Sequence, residues 1–245
     1  MNKYVHGYSA YEANRLHAQA DSLADLLHSD SVWDEGSIIL EAGCGIGAQT
    51  KIIAPKNRKS RFFAIDIASE SLKQAKKVAE AKNIDNVVFQ EADIFQLPFE
   101  DEHFDHIFLS YLLEHIPNPI RALNKLKRVL KKNGNITVIE GDHGSAYFHP
   151  DSELANKAIQ CQVKLQKKNG GDANIGRKLY PLLEEAKFGK ITVSARQVYV
   201  DDSNPDLVEG FTRNTFTAMI NGISEEAISM KLMNSKEFEQ GVRDL

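Results

Sequence analysis

Cysteine is almost absent from this chain. Two occur in 245 residues, Cys44 and Cys161. One sits in a glycine-rich turn and the other in a segment of helical spacing, so neither a disulfide framework nor a metal site is indicated. Proline is scarce at seven, tryptophan occurs once, and no low-complexity tract or internal repeat interrupts the chain. No apolar run reaches membrane-spanning length, and the opening MNKYVHGYSAYEANR lacks the apolar core of a secretory signal. A cytoplasmic protein with no membrane partner is therefore expected. Positive charge is not in excess either: 30 Lys and Arg stand against 34 Asp and Glu. That balance disfavours nucleic acid as a partner, and the NKLKRVLKK run reads as the solvated face of a helix.

What is present is a regular alternation of strands and helices. Leu16, Ala20, Leu23 and Leu27 keep helical spacing over 10–28. Strands are expected at 37–40, 61–67, 86–93, 104–113 and 135–142. Helices are expected between them: one stopping at Pro55, one over 69–82, and one capped by Asn118-Pro119 and running through Lys132 to Asn133-Gly134. Such an order gives a parallel sheet covered by helices. Beyond Asp142 come a polar, aromatic loop, a helix near 152–168, a sixth strand over 190–200, and helices from Pro205 onward. The length suits one domain over 1–245, with a core at about 36–200 and a cap made of helix 10–28 and the insertion 143–178.

The stretch LEAGCGIGAQT, residues 40–50, places glycines at 43, 45 and 47 directly after the first strand, with Glu41 just before them. Asp66 ends the second strand and Asp93 the third. Open parallel sheets bind ligands at these carboxyl ends, so three acids face one crevice. The glycines also satisfy the dinucleotide pattern, through Gly43, Gly45 and Ala48. A pyrophosphate, however, wants amides without a neighbouring anion, whereas a sulfonium gains from the acids.

On these residues the sequence resembles the class I S-adenosylmethionine-dependent methyltransferases. LEAGCGIG resembles their first motif, AIDIASESLKQA the segment that holds the ribose, and EADIFQLPFEDEHFDHIFLSYLLEHI the block that follows. The resemblance implies an α/β, Rossmann-like methyltransferase fold with a mostly parallel central sheet flanked by helices. It implies a cofactor site of Tyr8, Glu41, Gly43, Gly45, Gly47, Gln49, Asp66, Ile67, Asp93, Ile94, Ser110, Tyr111 and His115. Asp66 would meet the ribose and Asp93 the adenine amino group, between Ile67 and Ile94. Ser110 and Tyr111 would lie near the methionine portion, and Tyr8 would close over the cofactor. The family's last, antiparallel strand has no counterpart here, which leaves an edge that invites self-association.

The loop after the fifth strand leaves the sheet at its ligand-binding edge. His143 and His149 are the candidate bases there, Tyr147 a candidate acceptor contact, and Arg177 and Tyr180 further candidates for gripping the acceptor. A base is needed only where the acceptor must lose a proton. The segment after strand four, Ser110-Tyr111-Leu112-Leu113, lacks the Pro-Pro-aromatic motif used on exocyclic amines of nucleic acids. Methyl transfer to a small molecule is therefore expected. A non-catalytic S-adenosylmethionine-binding module and an NAD-dependent oxidoreductase are the alternatives.

Overall fold

A computed structural model describes residues 10–245. Five strands form the sheet: β1 (Ile38–Ala42), β2 (Arg61–Asp66), β3 (Val87–Glu91), β4 (Phe104–Ser110) and β5 (Leu130–Ile139). Their order is β3-β2-β1-β4-β5, and every pairing is parallel. The chain steps outward from β1 to β3, then returns to the other side of β1 for β4. The switch point thus falls between β1 and β4, where such sheets open a ligand crevice. Ile39, Leu40, Ile107, Phe108 and Leu109 are fully buried, because parallel strands are covered on both faces.

The connecting helices are α3 (Thr50–Lys56), α4 (Ser69–Ala81) and α5 (Pro119–Val129). The α5 start is as expected, with Arg121 N donating to the Asn118 side chain at 2.9 Å and Pro119 in the first turn. Its end is not. The helix stops at Val129, and the Leu130 backbone is already extended. Phe104 pairs with Leu130 but His106 pairs with Asn135, so Lys131 to Gly134 bulge out of the ladder. Lys131 reaches the Asp105 carboxylate at 2.7 Å across this bulge. A Cβ at Gly134 would come 2.8 Å from the Asp105 carbonyl oxygen, so glycine serves close packing there and not a helix stop. Helix α3 runs through Pro55 to Lys56, since proline in a last turn forfeits only one bond.

The expected sixth strand is not formed. Residues 190–200 carry no ladder, with Val193 and Tyr199 exposed, and among the described residues no antiparallel strand is present. Arg196 instead ties this segment to the carbonyls of Leu26 and Leu27. Alternating β-branched residues make a strand only where a partner edge is engaged.

The N-terminal helix is two pieces, α1 (Ala10–Ser22) and α2 (Ala24–His28). The insertion carries α6 (Glu153–Lys168), capped by Ser152, and is followed by α7 (Leu179–Glu185). The helices after Pro205 pack against α1 and α6. Val208–Thr217 packs along α1, and Ser235–Arg243 packs along α6. Ala158, Ile159, Cys161, Leu165, Ile220 and Phe238 form their shared core, separate from the sheet core. No described helix is long and apolar enough to cross a membrane.

Candidate cofactor and acceptor site

A cavity of about 510 Å³ opens at the carboxyl ends of the strands, roofed by α1 and α6. Its first half is built by the turn after β1. The amides of Gly43 and Cys44 both bond to the Ile65 carbonyl, at 2.8 and 2.9 Å, which folds the turn back over β2. Gly45 has φ +51° and nothing within 4 Å of a would-be Cβ, so its backbone is bare toward the cavity. Its amide donates to Asp66 Oδ2 at 2.8 Å, while Ala68 N donates to Oδ1 at 2.8 Å. Burial pushes the Asp66 carboxyl up, and these backbone bonds oppose the rise. Asp93 is fixed in the same way, its Oδ1 accepting Phe95 N at 2.8 Å. Gly43, Gln49, Asp66, Ile67, Asp93 and Ile94 all line this half. Gln49 is held from behind by His28 Nε2 at 2.7 Å. Ile67 is 53% exposed, an apolar side chain at the mouth that a flat ligand would cover.

Glu41 and Gly47 lie just outside the lining. Glu41 is buried beneath the turn, where Thr50 Oγ1 donates to its Oε2 at 2.7 Å. Burial, with the charge of Asp66 adding to it, raises its carboxyl to about 8 despite that bond. Gly47 packs 3.0 Å, measured from a would-be Cβ, against Ala75 on α4, so its role is helix packing. The three acids therefore gather at one end of the sheet, but only Asp66 and Asp93 reach the cavity surface. Tyr8 lies outside the described residues.

The second half lies over β4 and β5. Ser110, Tyr111, His115 and His143 line it. The Ser110 hydroxyl is buried without a partner among the described residues. Tyr111 has φ +53°, a costly conformation for a non-glycine residue, and burial pushes its phenol up while Gln19 bonds to it. His143 Nε2 stands 3.0 Å from Glu114 Oε2. Neighbouring His149 and Tyr147 do not enter the cavity, and Tyr147 is 91% exposed. Arg177 is also outside, its guanidinium taken by Asp142 at 2.6 and 2.8 Å, and Tyr180 is exposed on α7. Of the residues expected to meet the acceptor, only His143 lines the cavity; Tyr147, His149, Arg177 and Tyr180 lie outside it.

Several lining residues were not singled out from sequence. Glu12, Arg15 and Gln19 project from α1 at the spacing of its apolar stripe, and Arg15 pairs with Glu12 at 2.7 Å while both are buried. Their spacing carried the signal. Glu114 and Gln166 meet only through long-range packing, and no local pattern marks them.

Residues 34–187, more than half of the chain, match a family model described as a methyltransferase domain. A 37.1 kDa protein of transposon TN4556 from Streptomyces fradiae is 31% identical over 193 residues, which is 76% of this chain and 54% of that protein. The chain spans about half the length of the first curated relatives it matches. A SAM-dependent methyltransferase from Aquifex aeolicus shares the fold with a TM-score of 0.53 at 17% identity, covering 73% of this chain and 88% of that one. The [4+2]-cyclase SpnF does so with a TM-score of 0.58 at 21% identity, over 91% and 74%. One fold thus hosts more than one chemistry, and chemistry must be argued from the site. The chain belongs to the methyltransferase-domain family, with the Rossmann-like fold of S-adenosylmethionine-dependent methyltransferases.

Proposed function

We propose that this chain transfers the methyl group of S-adenosylmethionine to a small-molecule acceptor, both held in the cavity under α1 and α6. The observation that carries the proposal is the two-ended lining: the glycine turn with Asp66 and Asp93 at one end, and His143 with Glu114 at the other. The volume falls in the range of small-molecule sites, roughly 300–1,000 Å³. Each Asp66 oxygen has given one lone pair to a backbone amide and keeps another for a ribose hydroxyl. Asp93 Oδ2 is left for the adenine amino group, with Ile67 and Ile94 beside the ring. Ser110 offers its unpartnered hydroxyl toward the methionine portion.

When bound, S-adenosylmethionine supplies a methyl carbon activated by its sulfonium. The chain's part is to orient the acceptor in line and to exclude water, and α1 and α6 do the excluding. That His143 lines the cavity supports it, of the two candidate histidines, as the group that takes a proton from the acceptor. Calorimetry with S-adenosylmethionine, S-adenosylhomocysteine and NAD tests the reading. Binding of the first two is expected, and NAD binding without them would overturn it. Release of S-adenosylhomocysteine with a panel of acceptors then separates an enzyme from a non-catalytic binding module.

A further inference from the structure

The acceptor end of the cavity contains a buried chain of fixed groups. Glu140, just after β5, accepts the amides of Leu112 and Leu113 at 3.0 and 2.7 Å and that of Glu114 at 3.4 Å. This pins the turn Leu113–His115 and aims the Glu114 carboxylate between two rings. Its Oε2 meets His143 at 3.0 Å and its Oε1 meets His115 at 3.4 Å. Gln166 on α6 donates to Glu114 Oε2 at 3.2 Å and to its carbonyl at 3.0 Å. Burial pushes Glu114 up, but the His143 and His115 rings facing it and the bonds from His143 and Gln166 outweigh it and hold the carboxyl down at about 2. A carboxylate at Nε2 fixes the His143 tautomer, leaving the lone pair on Nδ1. That nitrogen has no partner among the described residues, and the ring lines the cavity.

We infer that His143 removes a proton from the acceptor, that Glu114 is its positioning residue, and that the acceptor is a hydroxyl compound with a largely apolar body, such as a phenol. This rests on the methyl-transfer reading above. A neutral amine attacks with its own lone pair and no base, whereas a hydroxyl must shed its proton to attack well. The acceptor O–H bond breaks and its proton passes to His143 Nδ1. The oxygen bonds to the methyl carbon, and the electron pair of the C–S bond returns to sulfur. The positive charge of the sulfonium thus ends on the His143 ring, beside the Glu114 carboxylate. That carboxylate meets the charge only as it develops, which is what lowers a barrier. The apolar body follows from Ala13, Leu16, Ile116 and Met219 in the lining. Arg15 is already answered by Glu12.

The test begins with S-adenosylhomocysteine binding by wild type, His143→Asn and Glu114→Gln. Retained affinity in all three shows intact folds, and no binding by wild type would overturn the cofactor reading as well. Para-nitrophenol is then titrated into the S-adenosylhomocysteine-loaded proteins. Wild type is expected to bind it as the yellow phenolate and His143→Asn as the colourless phenol. In turnover, phenols are expected to react while amines and thiols do not. His143→Asn should lose about 10²- to 10⁴-fold in kcat on phenols. Glu114 faces the ring and His115 acts on both; beyond them, Glu140 after β5 acts on Glu114, and Glu12 with Arg15 on α1 acts on His115. Removing the Glu114 charge should move the acid limb of the rate profile to lower pH, and Glu114→Asp should restore part of the rate. Turnover of amines alone, or an unchanged phenol rate and pH profile in His143→Asn, overturns the inference and leaves methyl transfer standing.

Discussion

The Thr50 hydroxyl donates to Glu41 Oε2 at 2.7 Å, from the first residue of α3 to the fourth of β1, beneath the glycine turn. The carboxyl accepts this hydrogen bond in a fully buried position, and burial raises it from 4.5 to about 8. The raised value has a signed consequence for stability. Below about pH 4.5 the group is protonated in both states, and its contribution is fully present. As pH rises toward 8 the unfolded chain ionises first, and that contribution is lost. The loss is on the order of a few kcal/mol, at about 1.4 kcal/mol per unit of displacement. Glu41→Gln, which keeps the Thr50 bond, should raise the melting temperature at pH 8 and leave it nearly unchanged at pH 4.5. Melts across that window check this, and equal pH slopes for both proteins would refute it.

Two glycines of one turn should behave differently when mutated. Gly45 faces open space at φ +51°, so Gly45→Ala adds backbone strain of about 1–2 kcal/mol and places a methyl where a ligand would lie. Gly47 has φ +77° and would bring its Cβ within 3.1 Å of the Ala75 Cα, so Gly47→Ala adds a clash between α4 and the turn. The expected split is weaker S-adenosylhomocysteine binding with a modest melting change for Gly45→Ala, and a larger melting drop for Gly47→Ala. Paired calorimetry and thermal melts decide it.

Gly241 closes the cap. A Cβ there would sit 2.4 Å from the Leu154 carbonyl oxygen, so Gly241→Ala must push Ser235–Arg243 away from α6. The expected cost is about 1–3 kcal/mol for an overpacked contact. Because Gln166 on α6 also supports Glu114, acceptor KM should rise while S-adenosylhomocysteine affinity holds. An unchanged KM in a destabilised variant would separate the cap from the acceptor site.

The half of the cavity built on the glycine turn was legible because local chemistry writes it into sequence. A glycine turn needs glycines, and an acid falls at or just past the carboxyl end of the next strands, Asp66 closing β2 and Asp93 two residues beyond β3. The acceptor half is assembled from distant pieces. Glu114 meets Gln166 across 52 residues and His143 across 29, and no periodicity links them. The 190–200 segment misled for a related reason: its β-branched residues describe what a strand wants, while pairing depends on an edge that they do not choose. The C-terminal helices were found as helices, yet their place against α1 and α6 follows from packing alone.

Glu140 shows how much backbone a single carboxylate can organise. Three amides converge on it, and it is half-buried, with Glu114 close enough for its charge to matter. Burial and that neighbouring charge push the Glu140 carboxyl well up, while the amides pull the other way. Glu140→Ala removes the acceptor and strands three buried N–H groups, at about 1–3 kcal/mol for each one left unsatisfied. Glu140→Gln keeps a carbonyl oxygen for Leu112 and Leu113 and removes a like charge from Glu114. The alanine variant should therefore melt several degrees below wild type, at roughly 2–4 °C per kcal/mol for a chain of this size. The glutamine variant should melt near it. If both variants melted alike, hydrogen bonding to the turn would not be what Glu140 contributes.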